Sequence, residues 1–349
     1  MNQPYYDHIS AWKAQELGSK STVTYTLSDN ALRVLDGALR HVQKLDLAVE
    51  EITQDHFPVS AILQEINEWE KEIQEGRGLL LLKGINTSRY SKEECAILFW
   101  GISTYLGEAQ SQSPMGDKLG HVINIGGKDH RERAYRNSLE LALHTDASDI
   151  VGMMCLVPAE KGGLSGYASG PAIFNHIAQH QPELIPVLQE GFYYHRFGEH
   201  LPGESPVSEE KVPVFSEKEG YLSICYLRSY IEMAFEELNV QKTEQETEAL
   251  DYLDQVAHSE EFRLNFMMEP GEIAFFNNYV VLHTRTEFFD SPDSEKQRHL
   301  LRLWLRAHNA RPINPVIDAK AQRNGIEKQE GKGTYYKGKT QYTETPPPS

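Results

Sequence analysis

The segment QRHLLRLWLR, residues 297–306, constrains this chain more than any other. Arg298, Arg302 and Arg306 recur at spacings of four, and Leu301, Leu303 and Leu305 occupy the opposite parity. A strand with period two places the three arginines on one face and the three leucines on the other. Three cations in a row on a strand are costly unless they reach water or meet anions. One of them pointing into a barrel would form a carboxylate clamp, because guanidinium binds carboxylate bidentately.

The rest of the chain supports such a sheet. Residues 28–75 carry helical periodicity, with Ser28 as N-cap before Leu32, Leu35 and Leu39, then Ile62, Ile66, Trp69 and Ile73. GLLLLKGI (78–85) is an apolar run bounded by glycines, which predicts a buried strand. Ser91 and Glu94 form a capping-box pattern that opens a helix. Strands are predicted in HVINI, LALHTD, IVGMMCLV, FYYHRFGE, GYLSICYLRSY, RLNFMM and EIAFFNNYVVLHTR, with helices over 173–191 and 243–257. Helices precede scattered strands without βαβ alternation. An α+β fold follows, with a mainly β, antiparallel, jelly-roll core flanked by helices.

Composition excludes several functions. No apolar run approaches the roughly 20 residues that span a bilayer, and MNQPYYDHISAWK lacks the layout of a signal peptide. With 34 basic and 51 acidic residues the formal charge is −17, which argues against nucleic acid or an anionic membrane as partner. Cys95, Cys155 and Cys225 are far apart in apolar surroundings and read as reduced, buried thiols. A soluble, cytoplasmic protein is expected.

LALHTDASD (141–149) places His144 two residues before Asp146. If both lie in a strand, they share one face. His130 with Glu132 and His258 with Glu260 have the same spacing, but sit in charged surroundings that suit a solvated surface. Only His144 and Asp146 follow an alternating apolar approach. His283 ends the apolar stretch NNYVVLH, shortly before the arginine strand. Two histidines and a carboxylate on one face of an ion leave three positions open, the ligand set of non-haem Fe(II) oxygenases. A bidentate 2-oxo acid and dioxygen can fill them, and an arginine past the second histidine can hold a distal carboxylate. A jelly-roll hydrolase or isomerase would use the same ligands without that arginine. A non-catalytic binding module would need neither.

With these motifs the chain resembles the taurine dioxygenase and clavaminate synthase-like group of Fe(II)/2-oxoglutarate-dependent oxygenases. The resemblance rests on HTD (144–146), AEKGGLSGYAS (159–169), NNYVVLHTRTEF and RHLLRLWLR, in that order, and loosely on GLLLLKGI. It implies a double-stranded β-helix over 76–317, with an insertion between Asp146 and His283. Residues 1–75 would form a helical cover and 318–349 a surface or partly disordered tail. It implies His144, Asp146 and His283 as iron ligands, and Ser165 and Arg298 as the residues that hold the distal carboxylate of 2-oxoglutarate. Arg302 matches a position that contacts an anionic substrate in some members, and Gln110 and Gln112 fall near a substrate-binding position. Fe(II), 2-oxoglutarate and O2 would together oxidise an unactivated C–H bond of a small-molecule substrate, by hydroxylation, desaturation or cyclisation. Family members often pair, so a homo-oligomer is a further expectation.

Overall fold

The computed structural model describes residues 5–124, 138–320, 325–329, 335–336 and 342–343. The pair His130 and Glu132 and most of the segment after residue 320 lie outside the described residues.

Among the described residues a seven-stranded sheet runs in the order Thr24–Thr26, Leu79–Lys83, Ile273–Asn277, Ile150–Val157, His299–Ala307, Gly107–Gln110, with Leu119–Val122 also paired to His299–Ala307. A four-stranded sheet follows the order Arg263–Phe266, Ser165–Ser169, Val281–Arg285, Leu141–His144. All pairings are antiparallel except the first strand of the large sheet, which runs parallel to Leu79–Lys83. The fold is a mixed helix-and-sheet architecture.

Side-chain alternation explains the layering. Leu80, Leu82, Phe275, Leu301, Leu303 and Leu305 leave one face of the large sheet and pack under the helices Asp29–Gln43, Leu63–Gln74 and Lys92–Ser103. Their neighbours Leu79, Leu81, Phe276, Leu300 and Trp304 leave the other face and join Tyr167 and Val281 of the small sheet. Tyr167 packs edge-on against Phe276 across that interior, and Phe276 lies 4.8 Å from the His283 ring. The outer face of the small sheet buries Leu143, Ala168 and Leu282 against the helices Gly170–His180 and Glu244–His258. Strands covered on both faces must be apolar at nearly every position, which is why GLLLLKGI shows no alternation.

The predicted caps form: Ser28 Oγ accepts from the Ala31 amide, and Ser91 and Glu94 make a reciprocal capping box. The three cysteines are buried, and none is in a disulfide. Three local expectations change. FYYHRFGE forms no strand, only isolated bridges at Phe192 and His195. GYLSICYLRSY splits into the strand Tyr221–Ile224 and the helix Arg228–Leu238. EIAFFNNYVVLHTR breaks between Asn277 and Val281, where Asn277 Oδ1 accepts from the Tyr279 amide and turns the chain into the second sheet.

Candidate metal centre

His144 is the last residue of its strand and lies directly opposite His283 in the antiparallel register. Their ring centroids are 4.1 Å apart. The strand stops there. Asp146 therefore reaches the histidines from a loop, and not from the strand face that its spacing suggested. Thr145 pulls the chain out of the sheet: its amide donates to the Tyr226 carbonyl at 2.7 Å, and its hydroxyl accepts from the Tyr226 amide at 2.9 Å. Asn278 then clamps Asp146 by its main chain. Asn278 Oδ1 accepts from the Asp146 amide at 2.8 Å, and Nδ2 donates to the Asp146 carbonyl at 2.6 Å.

The carboxylate is left to point inward. His144 Nε2 lies 3.7 Å from Asp146 Oδ1, and His283 Nε2 lies 3.6 Å from Oδ2. These separations exceed hydrogen-bonding range. The ligand atoms of the three residues all lie within 4.8 Å of one another, and no other such trio occurs among the described residues. His144 Nδ1 donates to the Ala142 carbonyl at 2.9 Å, which places its proton there and leaves the Nε2 lone pair facing Asp146. Burial, with His283 close by, pushes His144 down to about 4, so it is neutral at neutral pH. Burial alone would raise the Asp146 carboxyl. Arg302 and the two histidines outweigh it and hold the group well below the ordinary carboxylate range. Two imidazoles, of which His144 is neutral, and an ionised carboxylate are a donor set that suits a divalent transition ion.

Trp304 completes the setting of Asp146. It shares the inward face with Arg302, two residues earlier, and donates through Nε1 to Asp146 Oδ2 at 2.9 Å. Arg302 Nη1 lies 3.8 Å from the same oxygen, and its guanidinium sits 5.1 Å from the Trp304 ring centre. Among the three arginines, Arg298 just before the strand and Arg302 and Arg306 within it, the structure separates the roles. Arg298 and Arg302 are buried, 3 % and 8 % exposed, while Arg306 reaches solvent at the strand end.

A cavity of about 210 Å³ carries His144, Asp146, His283, Ser165, Arg298 and Arg302 in its wall. Arg298 has no ion pair among the described residues, and its Nη1 is buried without a hydrogen-bond partner. Its guanidinium lies 4.9 Å from the Phe288 ring centre, and burial pushes it down to about 10. The glycine turn before Ser165 packs against it. Gly163, at φ +69°, would place a Cβ 3.5 Å from Arg298 Nε and 3.0 Å from the Ala159 Cβ. Gly162, at φ +68°, would drive a Cβ to 2.1 Å from the Glu287 carbonyl oxygen. Both positions require glycine. Phe197, Leu227, Tyr230 and Met233 close another side of the cavity, all from the segment between Asp146 and His283. Phe197 holds a left-handed φ of 50° and stacks on Tyr230 at 5.3 Å. A second cavity of about 390 Å³ meets the first at Asp146, Leu227 and Tyr230, and is also lined by Trp304 and Ile326.

Gln110 and Gln112 line neither cavity. Gln112, 1 % exposed, accepts from Arg302 Nε at 2.6 Å and donates to the Arg302 and Lys118 carbonyls. It acts on Arg302 and so positions that guanidinium. Gln112→Leu is expected to cost about 1–3 kcal/mol in unfolding free energy, because it removes three hydrogen bonds, two of them buried. It is also expected to raise the KM of the oxidised substrate while leaving that of 2-oxoglutarate within about twofold. Denaturant melts and steady-state kinetics check both. Sequence reasoning missed Trp304, Asn278 and Arg285. Parity with Arg302 and His283 offered a signal for the first and last, and none exists for Asn278.

Comparison with known proteins agrees with this geometry. Residues 42–304 match the family model described as taurine catabolism dioxygenase TauD, TfdA family. FR-33289 synthase of Streptomyces rubellomurinus is 28 % identical over 308 residues, covering 86 % of this chain and 90 % of the relative. A taurine hydroxylase-like protein of Stachybotrys chartarum is 28 % identical over 307 residues, covering 84 % and 77 %. The structure of asparagine oxygenase with Fe(II), 3-hydroxyasparagine and succinate superposes with a TM-score of 0.62 at 16 % identity, over 81 % of this chain and 93 % of that one. The non-haem iron oxygenase OrfP with Fe and α-ketoglutaric acid gives 0.58 at 13 % identity, over 81 % and 94 %. With three-quarters of its length inside the family model, the chain belongs to the TauD/TfdA dioxygenase family and is an Fe(II)- and 2-oxoglutarate-dependent oxygenase.

Proposed function

We propose that His144, Asp146 and His283 hold the iron and that Ser165 and Arg298 hold the distal carboxylate of 2-oxoglutarate. The observation that carries this reading is one cavity containing both a three-donor cluster and a buried guanidinium without an ion pair among the described residues. A hydrolase or isomerase would leave Arg298 without a task. The strands within 76–317 form a jelly roll in this reading, with residues 1–75 as its helical cover and an insertion between Asp146 and His283 that covers the site. Ile326, buried, lines the outer cavity from beyond residue 317.

Bound iron, 2-oxoglutarate and dioxygen supply the oxidation, which converts one C–H bond to C–OH as 2-oxoglutarate becomes succinate and carbon dioxide. The residues of the chain orient and protect that chemistry. His144 is fixed in one tautomer by the Ala142 carbonyl. Asp146 is kept ionised by Arg302 and anchored by Asn278 and Trp304. Phe197, Leu227, Tyr230 and Met233 exclude water from the cavity. The larger cavity beyond Asp146 receives the substrate, a small metabolite whose anionic group enters the inner cavity to pair with Arg302. The structure of asparagine oxygenase was solved with a compound of that kind, 3-hydroxyasparagine.

No described helix is long and apolar enough to cross a membrane. Three buried thiols suit the reducing cytoplasm, and self-association belongs to the same reading.

An anaerobic titration with Fe(II) and then 2-oxoglutarate tests the assignment. The chelated keto acid is expected to give a weak visible charge-transfer band, absent in His144→Ala and requiring far more 2-oxoglutarate in Arg298→Ala. Iron binding without that band would overturn the 2-oxoglutarate site. No iron binding would overturn the ligand set.

A further inference from the structure

The arginine strand supplies two of the buried guanidiniums in the inner cavity, and a third enters from another strand. Arg285 lies two residues past His283 on Val281–Arg285, so both side chains leave the same face. It is 6 % exposed and lines the cavity beside Ser165 and Arg298. The register sets Arg285 directly opposite Ser165. Arg285 and Arg298 share one aromatic ring: their guanidinium carbons lie 4.8 and 4.9 Å from the centre of Phe288. Arg285 Nη2 donates to the Leu139 carbonyl, and its Nε is buried without a partner.

Neither arginine has an ion pair among the described residues. Asp290 acts on both by its charge but forms no ion pair with either: Oδ1 accepts from the Arg298 amide at 2.8 Å, and Oδ2 from Asn124 at 3.2 Å. Two buried like charges on one ring repel each other, and burial without a counter-ion is costly. A single carboxylate beside Ser165 answers both. Its two oxygens offer about four lone-pair directions, enough for the serine hydroxyl and three guanidinium N–H donors.

We propose that Arg285 is a second binding residue for the distal carboxylate of 2-oxoglutarate, so that two cations and Ser165 hold that end of the keto acid. This rests on the oxygenase reading of the cavity. It assigns Arg285 to selection among 2-oxo acids, because the arrangement rewards only those that carry a terminal carboxylate. The bond to Leu139 fixes the guanidinium in place before the ligand arrives.

The test uses the Fe(II)-loaded full chain under anaerobic conditions and reads keto-acid affinity from the charge-transfer band. Two ligands are compared: 2-oxoglutarate, and 2-oxopentanoate, which has the same five carbons but ends in a methyl group. Arg285→Met is expected to weaken 2-oxoglutarate about tenfold or more, the size of a charge-assisted hydrogen bond. Binding of 2-oxopentanoate should stay within about twofold. Arg285→Lys keeps the charge, loses the fork and covers the case in which the methionine variant does not fold. It is expected to weaken 2-oxoglutarate about threefold or more, again without touching 2-oxopentanoate. Equal weakening of both ligands would make Arg285 a post for Leu139 and overturn the proposal, as would no weakening of either. Arg298→Met runs alongside. If it also leaves 2-oxoglutarate affinity unchanged, the cofactor reading itself fails; if only the Arg285 variants are silent, the second cation alone is lost.

Discussion

Asp146→Ala is expected to leave a folded protein that binds Fe(II) about 100-fold more weakly or worse and has no measurable turnover. The substitution removes the only carboxylate of the trio and leaves two imidazoles, which alone retain a divalent ion poorly. The loop itself should persist, because Asn278 holds Asp146 by its main-chain amide and carbonyl, both of which alanine keeps. Trp304 Nε1 loses its acceptor and Arg302 its nearest anion, so a stability cost of about 1–3 kcal/mol accompanies the lost activity. Metal content after gel filtration and a thermal melt separate the two effects. An Asp146→Ala protein that kept iron at wild-type affinity would remove Asp146 from the ligand set.

Arg298→Met should move stability and function in opposite directions. Its guanidinium is buried, has no ion pair among the described residues and leaves Nη1 without a partner. An uncompensated buried cation is a burden on the ligand-free fold, and an apolar side chain of similar length relieves it. The unfolding midpoint of the ligand-free protein is therefore expected to hold or rise. The KM for 2-oxoglutarate is expected to rise about 30-fold or more, because the lost contact is charge-assisted and bidentate, worth about 2–3 kcal/mol. Thermal melts with and without saturating 2-oxoglutarate report both effects. Wild type should be stabilised by the ligand and the variant far less. A lower midpoint with an unchanged KM would mean that Arg298 is a structural residue.

Much of this site was readable because its chemistry lies in short motifs. The parity of QRHLLRLWLR placed Leu301, Leu303 and Leu305 in an apolar layer and Arg298 and Arg302 opposite, and they lie so. His144 stood out from His258 because of its apolar approach, and it alone of those two faces the cavity. Other features were misread locally. The His144–Asp146 spacing suggested a shared strand face, but Thr145 bonds to Tyr226 and ends the strand first. FYYHRFGE has strand composition, yet no neighbour offers it a ladder beyond single bridges, and Phe197 turns into the left-handed region instead.

Amphipathic period, cap chemistry and glycine turns are set by residues within a few positions of one another. The helices near the N-terminus, the apolar strands and the members of the His144, Asp146 and His283 cluster therefore followed from the chain alone. Convergence is a different matter. Asn278 holds Asp146 across 132 residues of chain, Gln112 holds Arg302 across 190, and Arg285 meets Arg298 only because two strands from different sheets pass the same phenylalanine. Whether a buried cation is a clamp or an ion-pair partner depends on which acids the fold brings near it. That is settled by long-range packing, and no local pattern encodes it.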